Sequence, residues 1–345
     1  MSATIKDVAR ETGLAISTIS KYMNGGSVRP ANAKIIEEAV QKLRFSPNRA
    51  AKGLKSARSF CVCLITGTVH SPHTAMLLQR FERRLREMGY SLMFVSNEMD
   101  RQMTKQQIDY MMDEGIDGMI IACVNHRSEL GTLAREAGIP IVMIEEEFDN
   151  EEGKLDLIQA DCACGAYTGV EYLIQKGHRR IAILTGDLNT DTGRERLRGY
   201  ERAMQDYGIP VDQSYVFHGV YTFESGYAGM EQLILMKERP TAVFISNYEL
   251  SLGAVAAVNQ YNIQVPDDLS LVVFDDYELS GFFKPALTAI EQPLDEMALS
   301  ACSILDMRIR EDKTDFPLRL RFKTRFHERD SVKNLYSWNK PESTL

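Results

Sequence analysis

Hydrophobic positions near the N-terminus recur at helical spacing in three short blocks. Ile5, Val8 and Ala9 share one face of the first, and Ile19 and Met23 point inward from the second. Ile36, Val40 and Leu43 stripe a third that runs from about Pro30 to Leu43. The punctuation between them is that of short helices: Thr4 with Asp7 three residues on forms a capping-box pattern, Gly13 stands where a left-handed residue ends a helix, and Pro30 suits a first turn. With Leu14 as a plug, this predicts two helices joined by a tight turn and closed by a third, the form of a helix-turn-helix DNA reader. Ile16, Ser17, Thr18, Ser20 and Lys21 are left on the outer faces of the second helix.

Further on, the period changes. Apolar runs at Cys61–Thr66, Leu92–Val95, Met119–Val124 and Ile141–Ile144 read as buried strands, with Met76, Leu77, Phe81, Leu85 and Met88 at helical spacing between the first two. The pattern restarts with Ile181–Leu184, Val216–Gly219, Ala242–Ser246 and Leu271–Phe274, separated by helices near Gly193–Tyr207, Phe223–Lys237 and Tyr248–Tyr261. Strands alternating with helices predict an α/β body of two doubly wound, parallel-sheet lobes. Ligands of open parallel sheets bind beyond the carboxyl ends of the strands, so the expected site is the cleft between the lobes.

Charge sharpens the division. The whole chain carries a formal net charge of −8, yet residues 1–58 hold eleven Lys and Arg against four Asp and Glu, a local net of +7. Phosphate attraction follows the local patch, so the acidic total does not exclude nucleic acid. No apolar run is long enough to cross a bilayer, and the N-terminus has no charged-then-apolar export pattern, so a cytoplasmic protein is expected. Six cysteines, Cys61, Cys63, Cys123, Cys162, Cys164 and Cys302, lack a zinc spacing and are expected to be small buried residues; no metal and no cofactor are expected. Phosphate-loop, nucleophile-elbow, His-Glu-x-x-His and dinucleotide motifs are missing, which argues against an enzyme.

Several motifs in order carry a family resemblance. They are Thr4-Ile5-Lys6-Asp7-Val8-Ala9, Ser17-Thr18-Ile19-Ser20-Lys21 with Asn24, Phe45-Ser46-Pro47-Asn48-Arg49-Ala50-Ala51 with Leu54, Lys176-Gly177-His178-Arg179-Arg180-Ile181-Ala182, Gly193 to Gly199 with Arg196, Arg239-Pro240-Thr241-Ala242-Val243-Phe244, Val265-Pro266-Asp267-Asp268-Leu269-Ser270, and Phe274-Asp275-Asp276 with Pro285-Ala286-Leu287-Thr288. From Thr4 to about Val332 the chain resembles the LacI/GalR family of transcriptional repressors. The resemblance implies an all-α, lambda-repressor-like helix-turn-helix head over residues 1–58. A hinge helix at about 47–55 joins it to a periplasmic-binding-protein-like body over 59–345. The lobes are expected at about 60–160 plus 291–321 and 162–289 plus 323–332, with crossings near 160, 290 and 322 and a tail from 333. It also implies a palindromic operator and a homodimer, and the tail, with Leu335 and Trp338 but no leucine heptad, is expected to be a loose extension rather than a tetramer-forming helix.

The DNA-binding residues expected are Thr4, Lys6, Ile16, Ser17, Thr18, Ser20, Lys21, Asn24, Arg29, Asn48, Ala51 and Leu54. Among them, Ile16, Ser17 and Lys21 match the family's base readers and Leu54 its minor-groove wedge. Ala15 departs from the serine that commonly caps the reading helix, and Gly53 weakens the hinge helix, which is therefore expected to order only on DNA. Reading the strand ends of the body gives the expected effector residues His73, Glu145, Thr190, Arg196, Tyr221, Asn247 and Asp275, a set suited to a sugar or other small polyol. Arg196 and Asp275 rank first because the matching family positions contact effector, and they are expected to face a diol from opposite walls; the competing reading is an interlobe salt bridge. Asn247 stands where the family commonly has an aspartate. His178 is assigned to a helix-to-strand turn. The function expected is an effector-controlled repressor of a carbohydrate-use operon; a soluble sugar-binding or transport module is the alternative, disfavoured by the DNA hinge and the missing export signal.

Overall fold

The structure, a computed structural model, describes residues 3–23, 26–45, 58–67, 69, 71–96, 101–122, 132, 135, 136, 138–147 and 153–336. The chain divides into two compact units, residues 1–61 with 115–117, and the remainder.

In the first unit α1 (Ile5–Thr12), α2 (Ile16–Met23) and α3 (Pro30–Leu43) fall where the apolar stripes predict. Asp7 accepts the Thr4 backbone N–H at 2.9 Å and the Thr4 hydroxyl at 2.7 Å, so the acid at the positive end of the helix dipole also holds the entering chain. Gly13 ends α1 at φ 68°, a conformation that costs an L side chain energy, and its N–H reaches the Ala9 carbonyl. Val8, Ile19, Ile36 and Ala39 form the miniature core, with Ile5, Ala9, Leu14, Tyr22, Met23, Val40 and Leu43 packed around it.

The body begins with β1 (Cys61–Thr66), α4 (Pro72–Glu87), β2 (Ser91–Ser96), α5 (Arg101–Asp113), β3 (Gly118–Ala122), β4 (Ile141–Ile144) and β5 (Asp156–Ala160). It continues through α6 (Cys162–Gln175), β6 (Ile181–Thr185), α7 (Asp191–Asp206), β7 (Val216–His218), α8 (Phe223–Leu235), β8 (Ala242–Ile245), α9 (Tyr248–Gln260), β9 (Ser270–Phe274) and β10 (Thr288–Glu291). Then come α10 (Leu294–Ile309), β11 (Arg319–Phe322) and β12 (Arg325–His327). The sheets run β11-β5-β4-β3-β1-β2 and β12-β10-β9-β8-β6-β7, the same order twice. The chain passes from the first sheet to the second after β5 and again between β11 and β12, and α10, which follows β10 of the second sheet, packs on β3, β4 and β5 of the first.

Central strands such as β3, β4, β6, β8 and β9 are buried throughout, as their apolar runs require. In the second lobe α6 and α7 pack together, as do α8 and α9. The α8–α9 crossing is so close that a side chain at Gly253 would meet the Phe223 carbonyl at 1.9 Å. Strands β5, β10, β11 and β12 were not marked by apolar runs. The last two, Arg-Leu-Arg-Phe and Arg-Phe-His, are half-exposed edge strands, where alternating charge blunts an open edge. Two expectations are corrected. The described part of the tail, residues 331–336, is not loose: the buried Ser331 hydroxyl donates to the Leu271 carbonyl at 2.6 Å and accepts from Thr288, while the Leu335 N–H reaches the Lys176 carbonyl at 2.8 Å. Trp338 and Cys123 lie outside the described residues. Nor are all described cysteines buried, because Cys164, on the outer side of the first turn of α6, is exposed and Cys61 half-buried.

Candidate functional site

On the head, Thr4, Lys6, Ile16, Ser17, Lys21 and Arg29 are exposed, and Thr18 and Ser20 half-buried. Ile19 turns into the core, which forces Ile16, Ser17 and Lys21 of the same helix outward; Ile16 is 44% exposed, an apolar side chain left in water on the outer face of α2. Ala15 supplies only its carbonyl to the start of α2, accepting from Thr18 and Ile19. Asn24, Asn48, Ala51, Leu54 and the expected hinge helix lie outside the described residues.

In the body a cavity of about 330 Å³ opens between the lobes, and its walls include all seven residues picked from the strand ends: His73, Glu145, Thr190, Arg196, Tyr221, Asn247 and Asp275. The duplicated topology explains the convergence. Glu145 follows β4 and Asp275 follows β9, and both take left-handed backbone, φ 68° and φ 73°, which turns an acid at the carboxyl end of each sheet toward the cleft at a cost in local strain.

Arg196 and Asp275 do not face each other from opposite lobes. Both belong to the second, where the Arg196 guanidinium donates to the Ser246 carbonyl at 2.5 Å, meets Asp275 at 3.5 Å and stacks 4.0 Å from the centre of the Phe274 ring. The pair is therefore neither two walls nor an interlobe bridge, but one preformed wall. Burial opposes the Arg196 charge, yet Asp275 beside it holds the guanidinium protonated well above its usual range. Gln292 donates its amide to Asp275 at 2.7 Å.

Other side chains set the cleft's edges. Thr190 caps α7 by accepting from Gly193, and its hydroxyl donates to the Asp187 carbonyl. Asn247 caps α9 by accepting from Leu250 at 2.9 Å, and its amide donates to Glu249, so the residue that departs from the family's aspartate keeps the cap and gains a donor. Tyr221 lies over Gly186, where any side chain would strike its ring, and burial pushes its phenol up to about 12. His73 bridges Tyr277 through Nδ1 at 2.8 Å and Glu145 through Nε2 at 2.8 Å. His178 is not in the cleft: it bonds Thr241 and the Lys333 carbonyl, pinning the tail.

Contacts cross the cleft beside the His73–Tyr277 bond. The Ser71 hydroxyl donates to Glu249 at 2.5 Å. Glu146 accepts the Asp191 and Thr192 N–H groups at 2.5 and 3.2 Å and the Thr192 hydroxyl at 2.8 Å, placing a first-lobe carboxylate on the N-terminus of second-lobe α7. Burial pushes the Glu146 carboxyl up to about 7, against those hydrogen bonds. Ser71, Glu146, Thr192, Glu249 and Gln292 were missed as site residues because none ends an apolar run; the signal available for Glu146 was its place in an acidic run, which usually marks a solvated face.

A helix-turn-helix head carried by a chain whose two-lobed body encloses a polar cleft defines the class of ligand-responsive regulators. Residues 4–48 match the bacterial regulatory proteins of the lacI family, and residues 170–332 match the periplasmic binding protein-like domain. The chain is 34% identical to the ribose operon repressor of Escherichia coli (strain K12), covering 90% of this chain and 94% of that protein. It is 31% identical to the HTH-type transcriptional repressor PurR of Histophilus somni (strain 2336), covering 90% and 93%. Among solved structures it is similar to the complex of the transcriptional regulator CelR with cellobiose, at 26% identity and a TM-score of 0.75 over 95% of this chain and 99% of that one. The chain belongs to the LacI family of bacterial regulatory proteins.

Proposed function

We propose that the protein is an effector-controlled repressor of an operon for carbohydrate use, acting in the cytoplasm as a homodimer on a palindromic operator, with no catalytic activity of its own. No described helix is long and apolar enough to cross a membrane. In this reading residues 1–58 are the DNA-binding domain, with a hinge helix at about 47–55. Ile16, Ser17 and Lys21 read bases; Thr4, Lys6, Thr18, Ser20, Asn24, Arg29, Asn48 and Ala51 position the head, and Leu54 wedges the minor groove. The body over 59–345, with lobes at about 60–160 plus 291–321 and 162–289 plus 323–332, takes a sugar or other small polyol. His73, Glu145, Thr190, Arg196, Tyr221, Asn247 and Asp275 contact it.

The observation that carries the reading is the cleft itself, whose walls gather strand-end residues of both lobes around a volume suited to a small molecule. A ligand touching both lobes shifts their relative position, because it favours whichever arrangement it binds better. The names of the relatives support a repressor, and the ribose and cellobiose in two of them support a carbohydrate. A gel-shift series on fragments from the protein's own upstream region tests it. The intact chain selects one palindromic fragment with a steep loss of affinity as salt rises, and deletion of residues 1–58 removes the selection. Leu54→Ala weakens selective binding far more than non-selective binding. Absence of any preferred fragment would overturn the reading.

A further inference from the structure

The cleft spends its hydrogen-bond donors on itself. The Ser71 hydroxyl goes to Glu249, the Thr190 hydroxyl to the Asp187 carbonyl, the Thr192 hydroxyl to Glu146, and the guanidinium of Arg196 to Ser246 and Asp275. Apart from Arg196 Nε–H, which has no partner among the described residues, open capacity remains on the acceptor side. Gln292, which is only 6% exposed and lines the cavity, donates its amide to Asp275 and leaves Oε1 without a partner among the described residues.

The charges are unequal too. Of the five carboxylates in the walls, Glu145 has His73, Asp275 has Arg196, and Glu146 has the N-terminus of α7. Glu249 and Asp187 face no Lys, Arg or His among the described residues; Glu249 accepts only the neutral Ser71 and Asn247 donors, and Asp187 those of Asn189. A sugar hydroxyl donates but also needs a donor for its own oxygen, whereas an ammonium group only donates and brings the missing charge. A phosphate or carboxylate would meet five acids and, among the described residues of the walls, a single arginine already paired with Asp275. We propose that the effector is a monosaccharide-sized polyol bearing a protonated amine, its ammonium seated on Glu249 and a hydroxyl donating to Gln292. This rests on the cleft being the effector site, and it names the class of molecule that site takes. Because Glu249 also holds Ser71 across the cleft, seating a cation there couples charge recognition to a contact that joins the lobes.

Matched ligand trios decide it on the full-length protein. D-glucose, D-glucosamine and D-glucose 6-phosphate, the same trios built on galactose and mannose, and Tris against glycerol are compared by thermal shift and calorimetry at fixed pH and ionic strength. At least one amine binds about 10-fold tighter than its neutral twin, a gain of the size one charge-assisted contact supplies, and phosphorylated members leave the melting temperature unchanged. Glu249→Gln, which keeps the side chain's shape, brings the amine and its twin to similar affinity, while Glu249→Asp retains the preference. If Glu249→Gln fails to fold, the wild-type trios alone decide. A neutral or phosphorylated member that outbinds its amine twin overturns the proposal, as does a panel in which no amine, Tris included, raises the melting temperature above its neutral twin. Selective operator binding in the same preparation keeps the regulatory reading standing in either case.

Discussion

Each lobe buries an arginine–aspartate pair, and the two pairs serve different ends. In the first lobe Arg308 of α10 grips Asp156 of β5 with two parallel bonds of 2.8 and 3.0 Å, and Asp156 also accepts the Leu318 N–H at 2.6 Å, tying α10, β5 and the approach to β11 into one unit. This pair lies away from the cleft and closes its hydrogen bonds internally. In the second lobe Arg196 meets Asp275 through a single long contact of 3.5 Å and leaves its Nε without a partner among the described residues. The same two side chains thus make a staple in one place and an unfinished wall in the other. A buried charge pair is costly unless its remaining bonds are satisfied, so the looser pair is the one with capacity for a ligand.

The largest effect expected from breaking this contrast is in the first lobe. Arg308→Ala strands a carboxylate that is fully buried and lowers stability by about 3–5 kcal/mol in urea denaturation, while leaving ligand-induced stabilisation of the folded fraction intact. Arg196→Ala removes a more loosely held partner and costs about 2–3 kcal/mol, but it abolishes the ligand response. Equal losses from the two variants, with ligand response kept in both, would erase the distinction.

The next effect concerns the link between the lobes. The Glu146 carboxyl rises from its usual 4.5 to about 7 on burial, so the native state binds the proton more tightly than the unfolded chain does. Its contribution to stability is therefore greatest at low pH and declines as pH rises from about 4.5 through 7, by about 2 kcal/mol between pH 5 and pH 7. Glu146→Gln should flatten this component, read as the difference between wild-type and variant denaturation curves across that range. A variant with the same pH dependence as wild type would mean that the carboxylate is solvated and that the lobes are not joined through it. Smallest is the cap on α9: Asn247→Ala costs about 1 kcal/mol through the lost cap, and Asn247→Asp costs at least as much, since Asp still accepts the Leu250 N–H but replaces the donor to Glu249 with a second carboxylate. Thermal denaturation of the two variants checks this, and an unchanged melting temperature in Asn247→Asp would show that only the cap matters and the donor to Glu249 does not.

The sequence by itself determined what depends on near neighbours. Gly13, Pro30 and the Thr4–Asp7 pair bound the head helices because caps and turns are made within a few residues. The central strands announced themselves because a strand covered on both faces must be apolar throughout. The strand-end candidates were legible for the same reason, since a parallel sheet delivers the carboxyl end of every strand to one edge. Only the tertiary structure decided the partners of charges. Asp275 is paired within its own lobe with a residue 79 positions away, and Asp156 with one 152 positions away, separations at which sequence carries no distance information. It also decided that Glu146 leaves its acidic run to cap a helix of the other lobe, that Ser331 to Tyr336 pack on the second lobe, and that Arg-rich β11 and β12 are edge strands. In each case a polar group is placed by a hydrogen-bond partner that chain folding brings from far away, and hydrophobic periodicity does not record it.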